Sequence, residues 1–299
     1  MKPFSGLLPV LFFAGMAVLP LLAGDYYQGV GFQLLMWIAL TQSWVLLSGF
    51  TGYISLGHAV FYGLGGYLTV LTWHIVPLPL AIPLSGLVAA LFAGLIGYPV
   101  MRVRGPYFVI LTFGLAELVK YIVINVEAAL GKFGRLMMGA PALSMLYWTM
   151  LALAVAATLL VVLVGRSRFG AGLRAIREDE PAAETVGVPT ARYKLAAYAL
   201  SAAIPGMVGG VAALRTSYFE PQQIFSPTIS FTVVTMAMIG GSDRARGPLM
   251  GALFLVLLSE LLWANLAELY MIILGLLLIG SVLFAPSGID GLLRRRFGR

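Results

Sequence analysis

The sequence contains no cysteine. That absence excludes a disulfide framework, a cysteine-ligated zinc site and a thiol nucleophile. Histidine is nearly as scarce, with His58 and His74 the two examples, too few for a histidine-rich metal cage. Charge is sparse as well. Only 10% of the 299 residues are Asp, Glu, Lys or Arg, whereas a soluble globular domain carries about 25%. A chain this poor in charge cannot cover its own surface in water. No His-Glu-x-x-His or Gly-x-Gly-Asp pattern occurs, so the residues that intramembrane proteases need are missing.

What the chain has instead is apolar length. Sixty per cent of its residues are hydrophobic, and the mean hydropathy is +0.96. A spanning helix needs about 20 mainly apolar residues. The pattern predicts ten spans: Leu7–Ala23, Gly29–Leu47, Leu56–Trp73, Leu80–Val100, Tyr107–Val126, Tyr147–Val164, Tyr193–Leu214, Phe225–Gly241, Pro248–Leu262 and Leu269–Phe284. The third is glycine-rich, and the eighth and ninth are short, so these three are candidates for broken or re-entrant segments. Lys2 and the apolar run after it could pass for a signal peptide, but Leu21-Leu22-Ala23 lacks a small residue at the first cleavage position. We read an uncleaved first span. The fold class expected is all-α, a polytopic transmembrane bundle forming one domain over residues 1–299.

Charge placement orients the bundle. The net charge is +7, and it is not evenly spread. With ten spans and both termini cytoplasmic, all but four of the 19 lysines and arginines fall on the cytoplasmic side. The exceptions are Lys132, Arg135 and Arg215, outside, and Lys120, within a span. This obeys the positive-inside rule and accounts for the excess charge without nucleic acid.

The one long amphiphilic interruption is the connection at 166–192. Leu173, Ala175 and Ile176 lie among Arg174 and Arg177, a pattern for a helix at the interface. Glu178-Asp179-Glu180-Pro181 then reads as a second helix start, because proline suits the first turn and carboxylates suit the positive end of the helix dipole. Ala182, Ala183, Glu184, Thr185 and Val186 continue it. Gly187 supplies a left-handed cap and Pro189 prevents continuation. The result is a short helix presented between two spans, suited to a partner's groove or to the headgroup surface.

Polar residues inside the apolar pattern are few. Glu117 and Lys120 lie three apart on one helix face and can pair. A self-satisfied pair and a place on a transport pathway are both open readings. His58 follows Ser55-Leu56-Gly57, and Gly49, Gly52, Gly57 and Gly63 permit a helix break there. Backbone N–H groups at such a break can receive a carboxylate, making Ser55, Gly57 and His58 candidate pathway residues. A packing role for His58 is the alternative. The small-residue spacings Gly206–Gly209–Gly210 and Gly94–Gly97 point to close helix packing.

Four ordered blocks carry a family resemblance. EPAAETVG (Glu180–Gly187) looks like the EAA-type coupling segment of ABC importer permeases. The longer stretch RAIREDEPAAETVGVPTARYKLAAYALSAAIPGMVGG (Arg174–Gly210) resembles permeases of branched-chain amino acid ABC transporters, LivM type. So do GYISLGHAVFYGLGGYL (Gly52–Leu68), RVRGPYFVILTFGLAELVK (Arg102–Lys120) and MIGGSDRARGPLMGALFLVLLSELL (Met238–Leu262). Relatives often read Gly-Gly-x-Gly where this chain has Gly240-Gly241-Ser242-Asp243, and Pro181 and Pro205 are also departures.

The resemblance implies one half of a permease pair, completed by a LivH-type permease. It implies two ABC ATPase subunits on the coupling segment, at Arg174, Arg177, Glu180, Ala182, Ala183, Glu184 and Gly187. A periplasmic or extracellular solute-binding protein is expected to deliver substrate. ATP and magnesium are expected in the ATPase subunits, with no cofactor and no catalysis in this chain. Branched-chain amino acids are the implied cargo, with urea and short amides handled by relatives. An ion-coupled secondary transporter is the rival. It would want an intramembrane carboxylate, for which Glu117 is the candidate, and it has no use for the helix at 180–187. A purely structural membrane subunit is the third reading.

Overall fold

A computed structural model describes residues 4–22, 24–131, 134–137, 139–216, 218–265, 272–273, 275–277, 279–280 and 288–291. Helices dominate. They are α1 (Phe4–Leu22), α2 (Asp25–Trp44), α3 (His58–Thr72), α4 (Leu78–Val100), α5 (Pro106–Ala129), α6 (Leu143–Arg166), α7 (Arg168–Glu178), α8 (Glu180–Thr185), α9 (Thr190–Ala213), α10 (Pro221–Ile224), α11 (Pro227–Gly240) and α12 (Arg246–Asn265). One antiparallel bridge joins Arg135–Leu136 (β1) to Tyr218–Phe219 (β2).

Among the described residues, six helical stretches are long and apolar enough to cross a membrane: Asp25–Gly49, Leu78–Val100, Pro106–Ala129, Leu143–Arg166, Thr190–Ala213 and Pro221–Gly240. The all-α membrane bundle expected from composition is therefore present. Several expected spans are altered in detail. The third begins only at His58, after an irregular stretch over 52–57, which leaves a helix of 15 residues. The eighth is reduced to the 14 residues of α11, and the four-residue α10 precedes it. The tenth, Leu269–Phe284, lies mostly outside the described residues.

Two helices form the centre. Within Asp25–Gly49 an 18-residue stretch is 78% buried and within Thr190–Ala213 67%, against 22% within Pro106–Ala129. Helix α9 packs most extensively against α3 and α4. Lipid tails are as apolar as leucine, so helices in a membrane associate through close packing instead of water exclusion. Glycine makes that approach possible here. A Cβ at Gly65 would stand 1.9 Å from the Gly206 carbonyl oxygen, and one at Gly209 would stand 2.0 Å from that of Tyr62. On the other side of α9, a Cβ at Gly206 would stand 2.5 Å from the Ala89 Cβ on α4. The expected motif Gly206–Gly209–Gly210 thus seats α3 and α4 on α9. The other expected spacing divides: Gly97 lies against Leu195 and Tyr198, while Gly94 faces open space.

The connections sort by charge. The ends of α2, α4, α6 and α11, with the starts of α9 and α12, meet at one end of the bundle. Contacts there join Arg177 to Gly49 and Asp243, and Lys194 to Met101. This is the basic end. The β1–β2 bridge and the Glu127–Arg135 ion pair (2.7 Å) belong to the other end.

Gly65→Ala and Gly209→Ala should each lower the stability of the detergent-purified protein by about 1–3 kcal/mol, the ordinary cost of overpacking. Gly94→Ala should leave it unchanged or raise it by up to about 1 kcal/mol through helix propensity. Thermal unfolding monitored by intrinsic tryptophan fluorescence reads the difference.

Candidate functional site

Two features stand out in the bundle: a break in its most buried helix, and a helical hairpin that grips that break. Helix α2 runs into a single π-helical turn, Val45–Gly49. Single π turns accompany functional sites. The helix then ends at Gly52, whose φ of +77° is a conformation that only glycine adopts without strain.

Residues 52–57 have no regular structure; Ser55 and Gly57 are buried, while Gly52 and Ile54 are exposed. Buried non-helical backbone survives only where protein groups satisfy it. Side chains from three helices do so. The Trp44 indole N–H donates to the Ser55 carbonyl at 2.9 Å. The Ser55 N–H donates to Ser48 Oγ (3.2 Å), and the Leu56 N–H to Thr112 Oγ1 on α5 (3.1 Å). The Gly57 N–H donates to Ser55 Oγ (3.2 Å), and the Ala59 N–H to Ser230 Oγ on α11 (3.0 Å).

His58 is the first residue of α3 and has no solvent exposure. Neither of its ring nitrogens has a hydrogen-bond partner. Its ring meets Phe61 edge-on, with centroids 6.4 Å apart. A buried imidazole without partners is costly, and each such group in a native interior calls for an explanation. The structure thus brings Ser55, Gly57 and His58 together at one break, as the glycine spacing suggested. Glu117 is not with them in the same sense. It lies on α5 and is tied to Lys120, its neighbour at i+3.

The hairpin is α7 and α8. Ser167 caps α7 by accepting from the Gly170 N–H at 3.1 Å. Asp179 caps α8 by accepting from the Ala182 N–H at 2.9 Å, with Pro181 in the first turn. Gly187, at φ +87°, carries the chain out of α8. The expected helix start at 178–181 and the glycine exit are both present. Behind α8 is an open cleft of about 400 Å³, lined by Glu184, residues 187–191 and Arg192.

Burial divides the expected coupling residues. Arg174, Arg177, Ala182, Glu184 and Gly187 are exposed, whereas Glu180 and Ala183 are buried. The latter two therefore anchor the hairpin from within and do not belong to its exposed surface. The Glu180 carboxylate receives the Tyr53 hydroxyl (2.6 Å) and the Lys194 ammonium (2.6 Å), and Arg104 lies 3.3 Å away. Lys194 also donates to the Met101 carbonyl at 3.1 Å. Burial alone would raise the Glu180 pKa. The hydrogen bonds from Lys194 and Tyr53, with the charges of Lys194 and Arg104, outweigh it and hold the group below the usual carboxylate range. A depressed carboxylate contributes stability above its ordinary pKa, and that contribution is lost as pH falls through the lowered value.

Arg177 makes the second grip. Its Nη1 donates to the Gly49 carbonyl at 2.8 Å and to Asp243 Oδ1 at 3.0 Å. Arg174 instead turns back to the Gly165 carbonyl at 3.0 Å. Tyr53, Arg104, Lys194 and Asp243 did not stand out as site residues in sequence. Lys194 carried the one available signal, a lysine placed four residues into an otherwise apolar helix.

The chain is similar to known transport proteins along most of its length. The family model described as branched-chain amino acid transport system / permease component matches residues 32–282. The high-affinity branched-chain amino acid transport system permease proteins LivM of Salmonella typhimurium and Escherichia coli are each 29% identical over 289 residues, covering 85% of this chain and 68% of theirs. A probable branched-chain amino acid transport permease protein LivH of Methanocaldococcus jannaschii is 27% identical over 44% of each chain. No solved structure matches. With a broken central helix, a capped hairpin at the basic end and a family match over more than half its length, the chain belongs to the branched-chain amino acid transport permease family.

Proposed function

We propose that this chain is the LivM-type permease subunit of an ATP-driven importer for branched-chain amino acids. It crosses the cell (inner) membrane ten times with both termini in the cytoplasm, and a LivH-type permease completes the path. Two ABC ATPase subunits, which bind and hydrolyse ATP with magnesium, dock on the exposed face of the α7–α8 hairpin. A solute-binding protein delivers the amino acid to the opposite end. The chain itself holds no cofactor and performs no chemistry.

The observation that carries this reading is the hairpin. It is short, capped at both helix starts, exposed along Ala182, Glu184 and Gly187, and set at the basic end. An ion-driven transporter has no use for such an element. The carboxylate it would need, Glu117, is already engaged by Lys120. At the break, the uncompensated imidazole of His58 supports a place on the solute path, with Ser55 and Gly57 beside it. A small solute with an apolar body and few polar groups suits such a site.

Purified with its partner permease, ATPases and binding protein and placed in proteoliposomes, the chain should support radiolabelled leucine uptake that requires ATP. Uptake without the ATPase subunits would sink the proposal. Ala182→Arg puts a bulky charge on the exposed face of α8. It should reduce ATPase co-purification while leaving the permease's unfolding free energy within about 0.5 kcal/mol of wild type, as for other surface changes. Because the chain has no native cysteine, Asp179→Cys gives a clean topology probe. An impermeant maleimide should label it in inside-out vesicles and not in intact spheroplasts.

A further inference from the structure

The two inward-facing charges of the hairpin land on one short stretch of chain. Arg177, in the last turn of α7, donates to the Gly49 carbonyl, and its aliphatic stem lies against Gly52, with Cγ 3.3 Å from where a Cβ would stand. Glu180, three residues on, accepts from the Tyr53 hydroxyl. Gly49 closes the π-helical turn, and Tyr53 follows Gly52 in the irregular segment. The hairpin thus holds the break in α2 at both sides of its left-handed glycine.

The chemistry of each grip suits its place. A helix that stops leaves its last carbonyls without N–H partners, and a cation there suits the negative end of the helix dipole. Arg177 supplies both for α2. The same guanidinium bonds Asp243 in the α11–α12 connection, so three segments meet on one side chain. The connection is tied back to α2 independently, because Gln42 Nε2 donates to the Ala245 carbonyl at 2.6 Å. The second grip is backed by Lys194, which joins Glu180 to the end of α4 through Met101.

Beyond Tyr53, four residues of chain lead to His58. That stretch and the first turn of α3 are held by single hydrogen bonds that backbone N–H groups donate to the hydroxyls of Ser48, Ser55, Thr112 and Ser230, while the Trp44 indole N–H donates to the Ser55 carbonyl. Such contacts re-form at a new position more readily than a continuous helical ladder.

We infer that Arg177 and the Glu180–Lys194 pair are positioning residues that transmit movement of the hairpin to the broken segment 49–57, and through it to Ser55, Gly57 and His58. The inference rests on the proposed reading of the hairpin as the ATPase docking element. It adds that these side chains, although inside the docking motif, act inward on the permease and not outward on the ATPase.

The test uses the assembled complex in proteoliposomes, with leucine transported per ATP hydrolysed as the readout. Arg177→Met keeps the stem and removes both hydrogen bonds. In the assembled complex it should lower the leucine-to-ATP ratio at least tenfold, about tenfold being the scale of a single lost charge-assisted hydrogen bond. Asp243→Asn, which spares the Gly49 contact, should lower the ratio less, and Arg177→Lys should restore part of it. In parallel, a spin label at Ile54→Cys, referenced to one at Trp148→Cys, should change distance on ATP binding in the otherwise wild-type complex and stay fixed with Arg177→Met. A wild-type ratio in Arg177→Met, or a label that still moves, overturns the inference while the functional reading stands. Absence of ATP-dependent leucine uptake by the wild-type complex overturns the reading and the inference with it. If Arg177→Met fails to assemble, Arg177→Lys decides alone: a wild-type ratio with an Ile54 label that stays fixed overturns the inference, and a reduced ratio with reduced label movement supports it.

Discussion

A buried peptide group must find its hydrogen bond within the protein, and among the described residues the basic end of the bundle is arranged around a stretch, 52–57, where a helix does not provide it. Alpha-helices satisfy their own backbone, which is why they are the default spanning element. The stretch after Gly49 leaves that arrangement inside the most buried helix of the bundle. The cost is contained by hydroxyls on α2, α5 and α11 and by one tryptophan N–H. Each of those side chains has to arrive at a fixed position relative to the break. The packing of α5 and α11 against α3 is therefore a condition for the break to exist.

That packing depends on a frame that does not yield. The frame is α3, α4 and α9, pressed together through Gly65, Gly206 and Gly209 at separations that exclude even a methyl group. Close-packed interiors of this kind resist gradual deformation and switch between discrete arrangements instead. By contrast, α5 buries a narrow stripe, Phe108, Thr112, Ala116 and Val119, and shows Ile110, Leu118, Tyr121 and Ile122 to its surroundings. A stiff core with a lightly attached α5 allows Thr112 to shift with the break while the frame holds.

How much of this can be read in sequence follows from the range of the interactions. Helix existence is local: apolar length and the glycine and proline punctuation sufficed for the bundle, for the hairpin and for the break before His58. The start of α8 at Asp179 and its exit at Gly187 depend on neighbouring residues alone, and both were legible. The grips on the break are not local. Glu180 meets Tyr53 across 127 residues, and Arg177 meets Gly49 across 128. Nothing in the spacing of EPAAETVG tells which carboxylate points inward, because α8 is a short helix and a rotation by one residue, about 100°, brings a different side chain to the buried side. The inward turn of Glu180 and Ala183 is decided by Lys194, whose cation needs a counter-charge once α9 is buried. Likewise the glycine spacing in α9 was legible, but its partners Gly65 and Ala89 were set by the fold.

The buried charges at the hairpin bear on a wider question about ion pairs. Glu180 and Lys194 have side chains 8% and 5% exposed. At such burial the attraction between two charges is largely offset by the loss of hydration, and a well-packed apolar pair can be as stable. Stability alone therefore does not account for their presence. What an apolar pair cannot do is fix orientation. The Glu180 carboxylate bonds Tyr53, Lys194 and Arg104 from three different elements, and each bond has a direction. A hydrophobic contact at the same place would let the hairpin slide over the end of the bundle. Charged hydrogen bonds instead fix the orientation of the hairpin on the break, which an apolar contact of the same area does not do.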